Sequence, residues 1–296
     1  MTRILYQYPH YFYRILLVYK ESAYSRYFKK KKPKGGVRLL KQLHDQHFCM
    51  VEKAIAFLRK EELQVTPLKR AEFLPMRPIH DADLVITIGG DGTFLDTSHC
   101  VKGIPMWGIN STPSHSVGYF MSATPSNFER QWSKLVRGQL PVFLLQRLQV
   151  SLNGHPLPEL VLNDLLMTHV NPAAISRYEL RIGARKEEQR SSGLWIAAAA
   201  GSTAAIRSAG GKVLALESKQ IQYLARELYH GRRERYHLAK GVCDSKVRIR
   251  VVSHMHEAAC YLDGPRVSYS MNYGDQVEVQ LSPQPLRVVG HPGKKR

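Results

Sequence analysis

A parallel α/β domain followed by a mainly β domain is the fold class this sequence predicts, and three observations predict it. Apolar runs of strand length alternate with helical spacing up to about residue 110. Beyond residue 125 the apolar period falls to two. The chain has 296 residues, 44% of them hydrophobic, enough to bury two moderate cores. The expected limits are residues 1–124 for the α/β domain and 125–296 for the β-rich one, with the last residues able to return to the first domain.

The elements follow in order. R-I-L-L-V-Y (14–19) is a short apolar run suited to a buried strand, and Val37 to Leu63 carries apolar residues near helical spacing. L-Q-V-T-P-L (63–68), A-D-L-V-I-T-I-G-G (82–90) and I-P-M-W-G-I-N (104–110) read as further strands, with one more helix starting near Thr93. Strand and helix in alternation imply a parallel sheet covered on both faces. In P-S-N-F-E-R-Q-W-S-K-L-V-R-G, Ser126 and Glu129 have capping-box spacing, Phe128, Trp132 and Leu135 share a face, and Gly138 ends the helix. After it come two-residue alternations with hairpin turns at Asn153-Gly154 and Asp263-Gly264.

Composition narrows the class. Cys49, Cys100, Cys243 and Cys260 are scattered and the 13 histidines dispersed, so neither a disulfide framework nor a protein-held metal site is expected, and a cytoplasmic location fits. No apolar run reaches the roughly 20 residues of a membrane span, and the N-terminus has no secretory pattern. The net charge of +19 is uneven: residues 1–60 hold 14 Lys/Arg against 3 Asp/Glu, with a cluster at Arg26 to Lys34. Such a field suits anionic partners, small polyphosphates first; nucleic acid stays open through the basic 26–34 segment.

The sharpest local signal is G-G-D-G-T, Gly89 to Thr93, between an apolar strand and a helix. Glycines there bare the backbone N–H groups and the helix start offers its positive end to an anion. The plain alternative is a tight turn with Asp91 capping the helix. The loop lacks the G-K-[ST] of a Walker motif and is not G-x-G-x-x-G.

This stretch resembles the signature shared by NAD kinases, phosphofructokinases and the diacylglycerol and sphingosine kinases. Three others are similar to NAD kinases in particular: L-N-D-L (162–165), A-A-G-S-T-A-A-I-R-S-A-G-G (199–211) and Y-L-D-G (261–264), in family order across residues 84–282. R-S-S-G-L-W-I-A-A-A-A-G-S-T-A-A (190–205) resembles the plant-type NADH kinase branch. The resemblance implies a Rossmann-like domain bearing G-G-D-G-T, a β-sandwich domain after it, and transfer of the γ-phosphate of ATP to the 2′-hydroxyl of the adenosine ribose of NAD+ or NADH. It also implies Mg2+ carried by ATP and a homodimer or homotetramer formed through the β-rich domain. The competing readings are a lipid kinase of the same superfamily and a non-catalytic nucleotide- or nucleic-acid-binding protein.

Residue by residue, the resemblance makes Asp91 the base and sets Gly89, Gly90, Gly92 and Thr93 along the nucleotide phosphates. It implies an adenine contact for Asn163, a ribose 3′-hydroxyl contact for Asp164, and dinucleotide contacts for Gly201, Ser202, Thr203, Ala204 and Ser208. Asn110 matches the Asn after the family's central strand, and Tyr119 a stacking aromatic. Two positions depart from the family: Ser192 replaces the usual Asp before the G-S-T block, and Ala205 the usual Tyr. Losing a carboxylate beside the nicotinamide favours the neutral ring of NADH. Arg177 and Arg207 are further candidates for phosphate contacts, and Asp96, about 140° round the helix from Asp91, is expected to be structural.

Overall fold

A computed structural model describes residues 12–28, 37–73, 79, 81–231 and 235–290. The basic Lys29 to Lys34 run lies outside them. The chain divides into two compact units, one of Met1–Leu144 with Leu286–Arg296, the other of Leu145–Pro285.

The first unit carries β1 (Arg14–Tyr19), α1 (Ala23–Phe28), α2 (Val37–Lys60), β2 (Gln64–Lys69), α3 (Arg70–Phe73), β3 (Leu84–Gly89), α4 (Asp91–Ser98), β4 (Met106–Asn110), β5 (Met121–Ala123) and α5 (Phe128–Val136). Next in sequence is β6 (Val142–Leu145). The strands run in the order β2-β1-β3-β4, parallel throughout, with β5 also parallel to β4. β3 is buried along its whole length, as a parallel strand covered on both faces must be. β2 holds Pro67, which an edge strand tolerates because one row of its N–H groups needs no partner.

Ile15, Leu17, Ile86, Ile88, Trp107 and Ile109 pack against Met50, Val51, Ala54 and Leu58 of α2 and Phe128, Trp132 and Leu135 of α5. Helix α5 therefore belongs to the first unit, not to the start of the β-rich region where the expected boundary at residue 125 put it. The spacing of its three apolar residues is helical, but their partners lie more than 70 residues away in sequence or on Trp107. The capping box is not formed either. Asn127 is the N-cap residue, and its Oδ1 accepts the Thr124 N–H at 2.8 Å.

The second unit holds β7 (Leu148–Leu152), β8 (His155–Val161), β9 (Asp164–His169), β10 (Ser176–Ile182), β11 (Arg185–Ser191), β12 (Leu194–Ala197), β13 (Gln220–Ala225), β14 (Lys240–Asp244), β15 (Ile249–Ser253), β16 (Ala258–Leu262), β17 (Val267–Met271) and β18 (Gln276–Leu281). They form two six-stranded antiparallel sheets, β11-β10-β15-β18-β7-β8 and β14-β13-β12-β9-β16-β17. Alternate residues of both sheets meet in one core, among them Leu148, Val150, Tyr178, Leu180, Leu165, Met167, Ile196 and Cys260. Both expected hairpin dipeptides have positive φ at each residue, +51° and +81° at Asn153-Gly154 and +50° and +112° at Asp263-Gly264. The chain then re-enters the first sheet as β19 (Leu286–Val289), parallel to β4.

All four cysteines are free thiols. No helix among the described residues is long and apolar enough to cross a membrane.

Candidate active site

In the first unit, β3 delivers the chain to Gly89 and α4 begins two residues later. Gly90 is the N-cap and no side chain caps the helix. Asp91 is the first helical residue, and its Oδ1 accepts the backbone N–H of Phe120 at 3.0 Å instead. The carboxylate thus ties the loop to the 118–120 turn and remains half-exposed. No donor among the described residues bonds Oδ2. Gly92 is exposed; Thr93 is buried, and its Oγ1 sits 3.5 Å from Arg70 Nη1. Asp96 faces Arg70 at 3.4 Å, with side chains only 4% and 10% exposed, which fits its expected structural role.

Asn110 closes β4. Its amide donates to the Ser116 carbonyl at 3.1 Å and its Oδ1 accepts the Thr112 N–H at 3.1 Å, so the side chain shapes the 111–118 loop. Tyr119 is half-buried, edge-on to Phe120 at 5.1 Å, and Phe120 stacks on Phe94 of α4. Asn110, Tyr119 and the glycine loop are brought together in this unit.

In the second unit, Asn163 and Asp164 sit where β8 gives way to β9. A third carboxylate organises them. Asp263, one residue past β16, accepts the N–H groups of Leu162 at 2.8 Å, Asn163 at 2.7 Å and Asp164 at 3.0 Å. Composition marked Asp263 only as a turn residue. The antiparallel register Leu262↔Leu165 is what brings it opposite Asp164, and a turn Asp facing a strand start is the signal to look for. The fully buried Arg147 lies near this acid; burial lowers its guanidinium to about 10, and the Asp263 charge works against that fall.

Gly201 lies directly against this turn. A Cβ on Gly201 would stand 2.0 Å from the Asn163 carbonyl oxygen and 2.7 Å from its Cα. The Asn163 carbonyl also accepts the Ala198 N–H at 2.9 Å. Ser202 is buried and turned inward, donating to the Ala199 carbonyl at 2.6 Å and accepting the Leu214 N–H at 2.9 Å. Thr203 bonds the Ala200 carbonyl at 3.3 Å, Ala204 is half-buried, and Ser208 is exposed. Ser192 is half-buried, its carbonyl accepting the Thr168 hydroxyl at 3.2 Å. Arg177 and Arg207 are both exposed. The Oδ1 of Asn163 is buried and without a hydrogen-bond partner among the described residues.

Burial raises the Asp164 carboxyl to about 7, and the neighbouring Asp263 carboxylate adds to the rise. The folded state therefore holds this proton more tightly than the unfolded chain. The benefit is complete below the ordinary carboxylate value and is lost as pH climbs to about 7. We expect wild-type stability to fall between pH 5 and 7.5 by more than that of Asp164→Asn, the gap reaching on the order of a few kcal/mol. Urea unfolding at both pH values checks it, and parallel curves for the two proteins would refute the shift.

Residues 28–140 match the family model described as the ATP-NAD kinase N-terminal domain. The chain is 36% identical to the probable NADH kinase of Oryza sativa subsp. japonica, covering 85% of each, and 34% identical to the NADH kinase of Arabidopsis thaliana, covering 81% of this chain and 84% of that one. Among solved structures, it shares its fold with an NAD kinase from Archaeoglobus fulgidus in complex with ATP (TM-score 0.65, 23% identity, 95% and 94% covered) and with yeast NADH kinase complexed with NADH (TM-score 0.72, 14% identity, 94% and 83% covered). With relatives above 30% identity matched over most of both chains, and the four motifs standing in order on a parallel α/β unit and a two-sheet β unit, the protein belongs to the NAD kinase family.

Proposed function

We propose that this phosphotransferase moves the γ-phosphoryl group of ATP, supplied as its Mg2+ complex, to the 2′-hydroxyl of the adenosine ribose of NAD+ or NADH, giving NADP(H). The observation that carries the reading is the half-used carboxylate of Asp91, anchored through Oδ1 by the Phe120 N–H and open at Oδ2. A ribose hydroxyl is a poor nucleophile, and a fixed carboxylate within hydrogen-bond reach takes its proton as the new P–O bond forms. The rest is positioning and charge neutralisation.

In this reading Gly89, Gly90, Gly92 and Thr93 line the donor phosphates. Asn163 reads adenine: its buried, unpartnered Oδ1 suits the amino group of the base, a donor that would remove the cost of an orphaned acceptor. Asp164 meets the ribose 3′-hydroxyl. Asn110, Tyr119, Ser192, Gly201, Ser202, Thr203, Ala204 and Ser208 shape or contact the dinucleotide sites. The homodimer or homotetramer and the cytoplasmic location belong to the same proposal. Support comes from the family, from plant relatives named as NADH kinases, and from solved structures of the same fold in complex with ATP or with NADH. The test is product identity: with MgATP and either dinucleotide, an NADP(H)-specific dehydrogenase should read product, and none with either would overturn the proposal.

Ser192 in place of a carboxylate bears on the choice of dinucleotide. A unit negative charge near the nicotinamide is worth on the order of 1 kcal/mol to a cationic ring, so its absence removes about a fivefold advantage from NAD+. In mixtures of the two dinucleotides, kcat/KM should favour NADH. A clear preference for NAD+ would contradict this.

A further inference from the structure

One charge beside the glycine loop has no use yet. Lys20 follows β1 directly, and its N–H donates to the Ile88 carbonyl at 3.3 Å, which sets it alongside Gly89. Its stem lies on the bare face of that glycine: a Cβ on Gly89 would be 3.5 Å from Lys20 Cδ and 2.6 Å from Thr93 Oγ1. His47 reinforces the placement. Its Nε2–H donates to the Lys20 carbonyl at 2.9 Å and its Nδ1 meets the Ser111 hydroxyl at 2.9 Å, while burial, then the Lys20 charge, lowers the imidazole to about 4 and keeps it neutral.

Lys20 stands apart from the ion pair beside it. Arg70 lies within reach of Thr93 and is matched by Asp96. Lys20 is half-buried, and no carboxylate among the described residues pairs with it. Burial lowers its ammonium, and the Arg70 charge lowers it further. A partly buried cation beside a second cation costs free energy unless an anion joins them. A lysine that merely snorkels would leave the loop for water; the stem of this one runs along Gly89, where the loop has no side chain.

We infer that Lys20 binds the phosphates of the donor nucleotide at the Gly89 to Thr93 loop, with Arg70, held by Asp96, as the residue that positions Thr93 and completes the positive field. This deepens the kinase reading and rests on it. Arg70 already has Asp96, so the donor's negative charge is what Lys20 would gain.

Lys20→Met keeps the stem and removes the charge; Lys20→Arg keeps the charge. For Lys20→Met we expect KM for MgATP to rise about 10-fold or more, with KM for the dinucleotide within about twofold, and Lys20→Arg to recover most of the loss. The nucleotide-free protein should melt no lower than wild type, because a repulsion has been relieved, whereas the rise in melting temperature caused by ATP should shrink or vanish. An active wild type whose donor KM is unmoved by Lys20→Met would overturn the inference, as would a variant in which only the dinucleotide KM changes. If the wild type has no kinase activity, the functional reading fails first. The ATP-induced melting shift then still decides Lys20: lost in Lys20→Met it stands, retained it falls.

Discussion

Gly201→Ala is expected to disable the second unit. The added methyl would meet main chain, not a yielding side chain: the Asn163 oxygen, carbon and Cα all lie within 2.7 Å of where it must go. Moving Asn163 is not cheap, because its N–H is held by Asp263 and its carbonyl by the Ala198 N–H. We expect a loss of about 3 kcal/mol or more, read as a fall of about 6–12 °C in the melting of the second unit. Dinucleotide affinity should fall as well, since the turn carrying Asn163 and Asp164 is displaced. A variant with unchanged melting would show that the turn can shift freely. Serine at 201 should be no better, as its Cβ meets the same atoms.

Asp91→Asn is expected to do the reverse, sparing the fold and removing the reaction. The amide oxygen still accepts the Phe120 N–H, so the loop keeps its tie to the 118–120 turn. What disappears is the capacity to take a proton. Positioned general bases typically contribute 10²- to 10⁴-fold, and kcat should fall by about that factor. KM for both substrates should stay within a few fold, because asparagine occupies the same volume and the phosphate-facing N–H groups are untouched. A parallel loss of melting temperature would instead mark Asp91 as a structural residue.

Much of the first unit was legible because its signals are local. R-I-L-L-V-Y became β1 residue for residue, since an apolar run bounded by charge has one way to be buried in a parallel sheet. Asn153-Gly154 announced its hairpin because few other pairs accept two positive φ values. The misreadings came where distant chain decides. The apolar face of α5 could be seen, but not that it closes on Phe12 and Trp107. The conformation of 199–211 is set in the same way. The structure has a 3₁₀ turn at Ala200–Thr203 and one helical turn at Ala205–Ser208, where Gly201 backs onto Asn163. The work of Asp263 spans about 100 residues and depends on the register of two strands. Motif order named the candidate residues; only packing shows that Ser202 is spent on the backbone and that Asp91 leaves an oxygen open.

The claim that Asp91 is the base is tested most directly by a single turnover. With protein in excess over MgATP and with NADH saturating, rapid quenching resolves phosphoryl transfer from product release, and equilibrium binding of each substrate is measured on the same preparations. Asp91→Asn should bind both substrates within about threefold of wild type while transfer slows by about 10² or more. Transfer at the wild-type rate in that variant, with binding intact, would contradict it.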